Sequence, residues 1–123
     1  MPIFPAENDF LSLFESEPIL LDTTTKDLPF YYNEATYRFS IGQEDFVITF
    51  SPSYGEVKIQ VSMQSSNRLV SLLDLKRIGK LEIITDRRER ASVQLTIINE
   101  DSQQMIEIVF KPYFQQIFKE HLT

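Results

Sequence analysis

The side chains of this sequence that could act in catalysis are one histidine and several pairs of acids. His121 lies near the C-terminal end, where a catalytic base would not be held rigidly, and the chain has no cysteine to serve as nucleophile or metal ligand. The adjacent acids Glu44-Asp45 and Glu100-Asp101 fall in predicted turns, where carboxylates cap the backbone and stay solvated. We therefore predict no catalytic residue, no metal site and no bound cofactor.

A second set of candidates has the side chains that dominate protein interfaces. Tyr31 and Tyr32 belong to an aromatic group, and Arg87 and Arg88 lie in a basic run at a predicted hairpin tip. Tyrosine and arginine often anchor protein complexes, because they combine large contact area with directional hydrogen bonding. We predict these four residues as partner-binding anchors. The aromatic group also fits the edge of a core, and the arginines also fit a solvated turn.

The charge of the chain is unevenly distributed. The formal net charge is −6, and residues 1–34 hold seven acids against the single base Lys26. Such acidity disfavours nucleic acid as a partner and favours a basic protein, which Glu15, Glu17 and Asp22 would attract. The same acidity also fits a role in solubility alone. The longest apolar runs are too short to span a membrane and the first residues do not resemble a secretory signal, so we expect a cytoplasmic protein.

Elements at both ends of the chain are predicted to be helical, with strands between them. Pro5 and Pro18 bound an N-terminal helix over 5–17 with an apolar face. From residue 36 onward, apolar and polar residues alternate in six runs separated by turn residues, and 68–75 forms a further apolar run. After Pro112, apolar residues return at helical spacing and predict a C-terminal helix packed on the sheet through Phe114, Ile117 and Phe118.

The predicted fold is a single α+β domain over 1–123. About seven antiparallel strands follow one another as a meander, because the connections are too short for crossover helices. A flat sheet of seven strands would be about 30 Å wide, more than two helices can cover. We therefore expect a strongly curved sheet, like a half-barrel or a sandwich.

The rhythm of the strands resembles that of small acidic bacterial immunity proteins, which neutralise toxins in competition between bacteria. The segments that carry the resemblance are Asp45-Phe-Val-Ile-Thr-Phe-Ser-Pro, Gly55-Glu-Val-Lys-Ile-Gln-Val, Leu81-Glu-Ile-Ile and Glu107-Ile-Val-Phe-Lys-Pro. They lie within about residues 36–112. The resemblance implies a role in binding and inhibiting a toxin. Because binding residues differ between members of such families, it assigns no site residue.

These observations lead to three hypotheses of function. The first is a non-enzymatic domain that binds a protein partner, as an immunity-type inhibitor of a basic protein or toxin. The alternative is a domain that binds a small ligand or lipid in a cavity inside the curved sheet. The third, and the weakest, is a cofactor-free hydrolase that uses turn carboxylates. The sequence leaves the partner, and the choice between monomer and homodimer, open.

Overall fold

The computed structural model describes residues 2–20 and 29–122, which form two antiparallel sheets and one α-helix. One sheet has five strands in the order β1 to β5, and the other has four in the order β6 to β9. The elements are α1 (Glu7–Phe14), β1 (Ile19–Leu20), β2 (Ala35–Ile41), β3 (Glu44–Ser51), β4 (Glu56–Met63), β5 (Arg68–Leu75), β6 (Lys80–Asp86), β7 (Ala91–Ile98), β8 (Ser102–Lys111) and β9 (Gln115–Leu122), with short 3₁₀ turns at Phe30–Tyr32 and Pro52–Tyr54.

The chain passes from the first sheet to the second through residues 76–79. The amide of Ile78 donates to the carbonyl of Gly55 at 2.9 Å, and the amide of Gly79 donates to the carbonyl of Thr96 at 2.9 Å. Gly55 has a positive φ of 67°, and a Cβ atom there would collide with the carbonyl oxygen of Ile78. Only glycine therefore allows the crossing segment to pass so close to the β3–β4 turn.

Aromatic rings fill the space between the two sheets. Phe46 of the first sheet and Phe110 of the second are in edge-to-face contact, with ring centroids 5.5 Å apart. The helix adds Phe10, which stacks on Phe50 at 4.6 Å, and Phe14, which stacks on Phe39 at 4.8 Å. Helix α1 therefore belongs to the core and joins the two layers.

Helix α1 lies along one open side of the two-layer structure. Its Ser12 hydroxyl donates to Asp86 at 2.7 Å at the end of β6, while Phe14 packs on β2. Ile3 extends the cover on the same side, because its carbonyl accepts from the amide of Leu81 at 2.8 Å. The free edge of β6 is thus partly covered by the N-terminal segment.

Two details of the predicted fold are wrong. The described residues contain nine strands rather than about seven, because the short edge strand β1 and strand β9 add to the seven runs predicted from residue 36 onward. The expected C-terminal helix is strand β9, which pairs with β8 over eight residues from Ser102↔Leu122 to Val109↔Gln115. Ile117 and Phe118 fit the apolar face of a helix, but isoleucine and phenylalanine also favour strands. The unpaired edge of β8 provides backbone hydrogen-bond partners for such a strand. The N-terminal helix and strands β2 to β8 lie where the sequence predicts them.

Candidate protein-binding surfaces

A surface hollow with two exposed tyrosines lies at one end of the five-stranded sheet. Its volume is about 330 Å³. We call it the tyrosine–glutamate hollow, and it is lined by Tyr32, Asn33, Glu34, Ser51, Tyr54 and Glu56. Its residues come from the two 3₁₀ turns and the strand ends beside them.

The pairing of β2, β3 and β4 builds this hollow. Ala35 is paired with Phe50, so that Glu34 lies next to the end of β3, and Ser51 is paired with Glu56 at the start of β4. The turn that ends at Tyr32 is closed by a hydrogen bond from its amide to the carbonyl of Pro29 at 3.0 Å. The two tyrosines and two glutamates are therefore carried by backbone fixed in turns and a sheet.

The chemistry of the hollow suits a cationic side chain. An ammonium or guanidinium group is attracted by the face of a tyrosine ring and forms charge-assisted hydrogen bonds with carboxylates. Both tyrosines are more than half exposed, and both glutamates are partly exposed. The arrangement thus matches the lysines or arginines of a basic protein.

Tyr31 and Tyr32, predicted together as anchors, have different surroundings. The Tyr31 hydroxyl donates to the carbonyl of Pro2 at 2.6 Å, and this bond ties the N-terminal segment to the turn. The Tyr31 ring meets the Tyr32 ring edge to face, at a centroid distance of 5.2 Å. Tyr31 therefore supports the orientation of Tyr32, which is the more exposed of the two.

The other predicted anchors lie toward the opposite end of the sheets. Arg87 and Arg88 are exposed at the β6–β7 tip, and they line a hollow of about 510 Å³ with Thr85, Glu89 and Arg90. Glu15 lies beside the base of this hairpin, because its carboxylate is 3.3 Å from Lys111, the register partner of Ala91. Glu17 is exposed, and Asp22 lies outside the described residues. The structure thus separates Tyr32 from the group that contains Glu15 and the arginines.

Sequence reasoning missed Tyr54 and Glu56. From the sequence, the segment Ser51-Pro-Ser-Tyr-Gly is one of the stretches of turn residues that separate the strands, and nothing in it marks a binding site. The register that places it beside Tyr32 is a property of the folded hairpins. A signal was present, because a tyrosine within a proline–glycine turn between two strands is held at a sheet end, where it projects into solvent.

Glu44 and Asp45, which the sequence predicts in a turn, begin strand β3 and stabilise the fold. Glu44 accepts a hydrogen bond from the amide of Phe114 at 2.8 Å and so holds the turn that precedes β9. The hydroxyl of Ser40 and the amide of Gln64 donate to Asp45 and lower the pKa of its carboxyl. A general acid needs the opposite shift. Over residues 2–20 and 29–122, no group of three histidine, cysteine, aspartate or glutamate side chains is arranged to hold a metal ion, and no helix is long and apolar enough to cross a membrane.

Comparison with known proteins identifies a structural neighbour. No protein-family model and no curated protein sequence matches the chain. Among solved structures, the fold matches a chain of the "Contact-dependent growth inhibition toxin - immunity protein complex from Klebsiella pneumoniae 342", with a TM-score of 0.73 and 18% identity. The match covers 98% of this chain and 97% of that chain. The resemblance predicted from the strand rhythm is thus confirmed at the level of the fold.

Proposed function

We propose that this chain is a non-enzymatic, immunity-type inhibitor that acts by binding a basic protein toxin. The observation that carries the proposal is the fold match over nearly the whole length of both chains, to a member of a toxin–immunity complex. The acidity of residues 1–34 and the tyrosine–glutamate hollow support a partner with exposed lysines or arginines.

The packing of the interior favours this function over the binding of a lipid. A lipid-binding domain needs unfilled apolar space inside the sheet, but here rings from both sheets and the helix occupy the centre in mutual contact. The hollow has instead the features of an interface anchor site, with aromatic side chains at a rigid turn and acids around them.

In the proposed mechanism, charge speeds the encounter and the aromatic anchors hold the complex. Exposed carboxylates such as Glu15 and Glu17 attract a basic partner over roughly a Debye length, ~8 Å at physiological salt. Such pairs stay solvated at the rim and add little to the final affinity. Tyr32 and Tyr54 of the hollow then lose water against the partner and slow its release.

The test measures binding of the purified chain to candidate toxin domains encoded by neighbouring genes, and protection of cells that express such a domain. Neutralising Glu15, Glu17 and Asp22 together should slow association and flatten its salt dependence, with dissociation little changed. Tyr32→Ala should speed dissociation roughly thirtyfold, since an anchor contributes about 2 kcal/mol or more.

The matched control is Tyr113→Ala. Tyr113 is 57% exposed and Tyr32 is 56% exposed, but Tyr113 lies in the β8–β9 turn, outside the hollow. If neither binding nor protection is found, the function is wrong. If the two tyrosine variants dissociate equally fast, the hollow is not the anchor site even though the chain is an inhibitor.

A further inference from the structure

The side of the molecule opposite to helix α1 has two unpaired strand edges. Strand β5 ends one sheet and β9 ends the other. The Ser71 hydroxyl of β5 lies 3.5 Å from the side-chain oxygen of Gln116 on β9, so the two edges run close together. Within residues 2–20 and 29–122, no further strand pairs with either edge.

These two strands expose an unusual amount of apolar surface. All eight residues of β9 are exposed, and the Phe118 side chain is 56% exposed although it points to the same face as the buried Ile106. The large exposed apolar side chains of the two strands are Leu69, Val70, Leu72, Ile117, Phe118 and Leu122. A long apolar edge strand readily pairs with another strand, and folded proteins normally cover or block such an edge.

The charge of the β5 and β9 edges does not complement the basic partner that the acidic residues 1–34 are proposed to attract. Their charged residues are Arg68 and Asp74 on β5, and Lys119 and Glu120 on β9, which balance. The segment 1–34 accounts for the whole net charge of −6, because the remaining residues hold eleven acids and eleven bases. This surface therefore neither attracts a basic protein nor repels an identical copy of itself.

The sequence of β9 is complementary to itself in the antiparallel register centred on Phe118. Directly opposed residues lie on the same face of a sheet, so a two-fold axis must pass through a residue position. An axis at Lys119 or Glu120 would place like charges opposite each other. An axis at Phe118 places the two phenylalanines opposite each other, with Gln116 beside Glu120 and Ile117 beside Lys119.

We propose that β9 pairs with β9 of a second copy about an axis at Phe118, which joins the two four-stranded sheets into one sheet of eight strands. The pairing supplies backbone partners for the open edge, and it buries the two Phe118 rings against each other. Glu120 accepts a hydrogen bond from Gln104 of its own chain at 2.8 Å and keeps lone pairs for the amide of the opposing Gln116.

The experiment has two parts, both on the full chain. Light scattering and sedimentation between about 1 and 100 μM measure the dimer, and Phe118→Glu, which places two carboxylates opposite each other, should raise its dissociation constant by about tenfold or more. Tyr113→Glu, an equally exposed position before β9, is the matched control and should leave the constant unchanged. Circular dichroism checks that both variants fold.

The absence of cysteine allows a direct test of the register. Phe118→Cys should form a disulfide-linked dimer on mild oxidation, because opposed Cα atoms in a sheet lie about 4.5–5.5 Å apart. Lys119→Cys should not, because the offset of two residues separates its Cα atoms by about 8 Å. A wild-type chain that is monomeric at 100 μM, a dimer unaffected by Phe118→Glu, or preferential cross-linking through position 119 would each overturn the proposal. If β9 pairs with a strand of the toxin rather than with a second copy, the isolated wild-type chain would be monomeric at 100 μM.

Discussion

Replacing Phe10 by alanine tests whether helix α1 is an integral part of the core. The Phe10 side chain is fully buried, and its ring lies between 4.6 and 6.0 Å from the rings of Phe14, Phe30, Tyr37 and Phe50. Truncation of a buried phenylalanine typically costs ~3–5 kcal/mol, because both transfer free energy and packing contacts are lost. A domain of this size has a free energy of unfolding of about 5–15 kcal/mol. The variant should therefore lose a large part of its stability.

The next residue on the same helix provides the control. Leu11 is 40% exposed, and alanine is a good helix former, so Leu11→Ala removes little packing and does not weaken the helix. We expect a loss of about 1 kcal/mol or less for Leu11→Ala. In thermal melts the two variants should differ by roughly 10–20 °C, and urea titration should show an unchanged m-value for both. Equal and small losses would mean that α1 is not docked between the sheets.

Two further predictions concern single polar groups. The Tyr37 hydroxyl is buried with no hydrogen-bond partner among the described residues, and burial, with a smaller effect of the Glu7 charge, raises the pKa of its phenol. Tyr37→Phe should therefore leave the melting temperature unchanged or higher, and a clear loss would reveal a bond to the hydroxyl. The pKa of Asp45 is lowered by Ser40 and then Gln64, so its carboxylate stabilises the fold above about pH 4 and this contribution disappears as the pH falls through the lowered pKa. Asp45→Asn should thus be less stable than the wild type at pH 7 and equal to it near pH 2, and a difference that persists at pH 2 would show that the charge is not the cause.

The strands could be predicted from the sequence because the alternation of apolar and polar residues within each segment shows which of its side chains face the core. Ile48 and Ile59 lie at the core-facing positions of their alternating runs, and both are fully buried and paired with each other. The same alternation places Ser92 and Thr96 on the solvent side of β7, but both are buried. The alternation of apolar and polar residues predicts on which face of the sheet a side chain lies. It does not predict whether neighbouring side chains shield that face from solvent.

The C-terminal segment shows a different limit of sequence reasoning. Phe118 fits the buried stripe of a helix, but the structure places it on an exposed edge strand. Its conformation is decided by pairing with the edge of β8, a contact that local sequence patterns do not encode. The same reason explains why Tyr32 was predicted as a candidate and its neighbour Tyr54 was not, since only strand register brings them together.

The separation of charge along the chain gives the two proposed surfaces different physical behaviour. The acids of residues 1–34 lie on helix α1, between α1 and β1, on the approach to β2, or outside the described residues, whereas the β5 and β9 edges carry balanced charge. Salt screens attraction between exposed charges, but it does not weaken strand pairing or the burial of apolar side chains. Raising the ionic strength should therefore slow capture of a basic toxin and leave the β9 dimer intact. If both respond to salt in the same way, a single electrostatic surface serves both associations and the assignment of β9 to self-pairing is wrong.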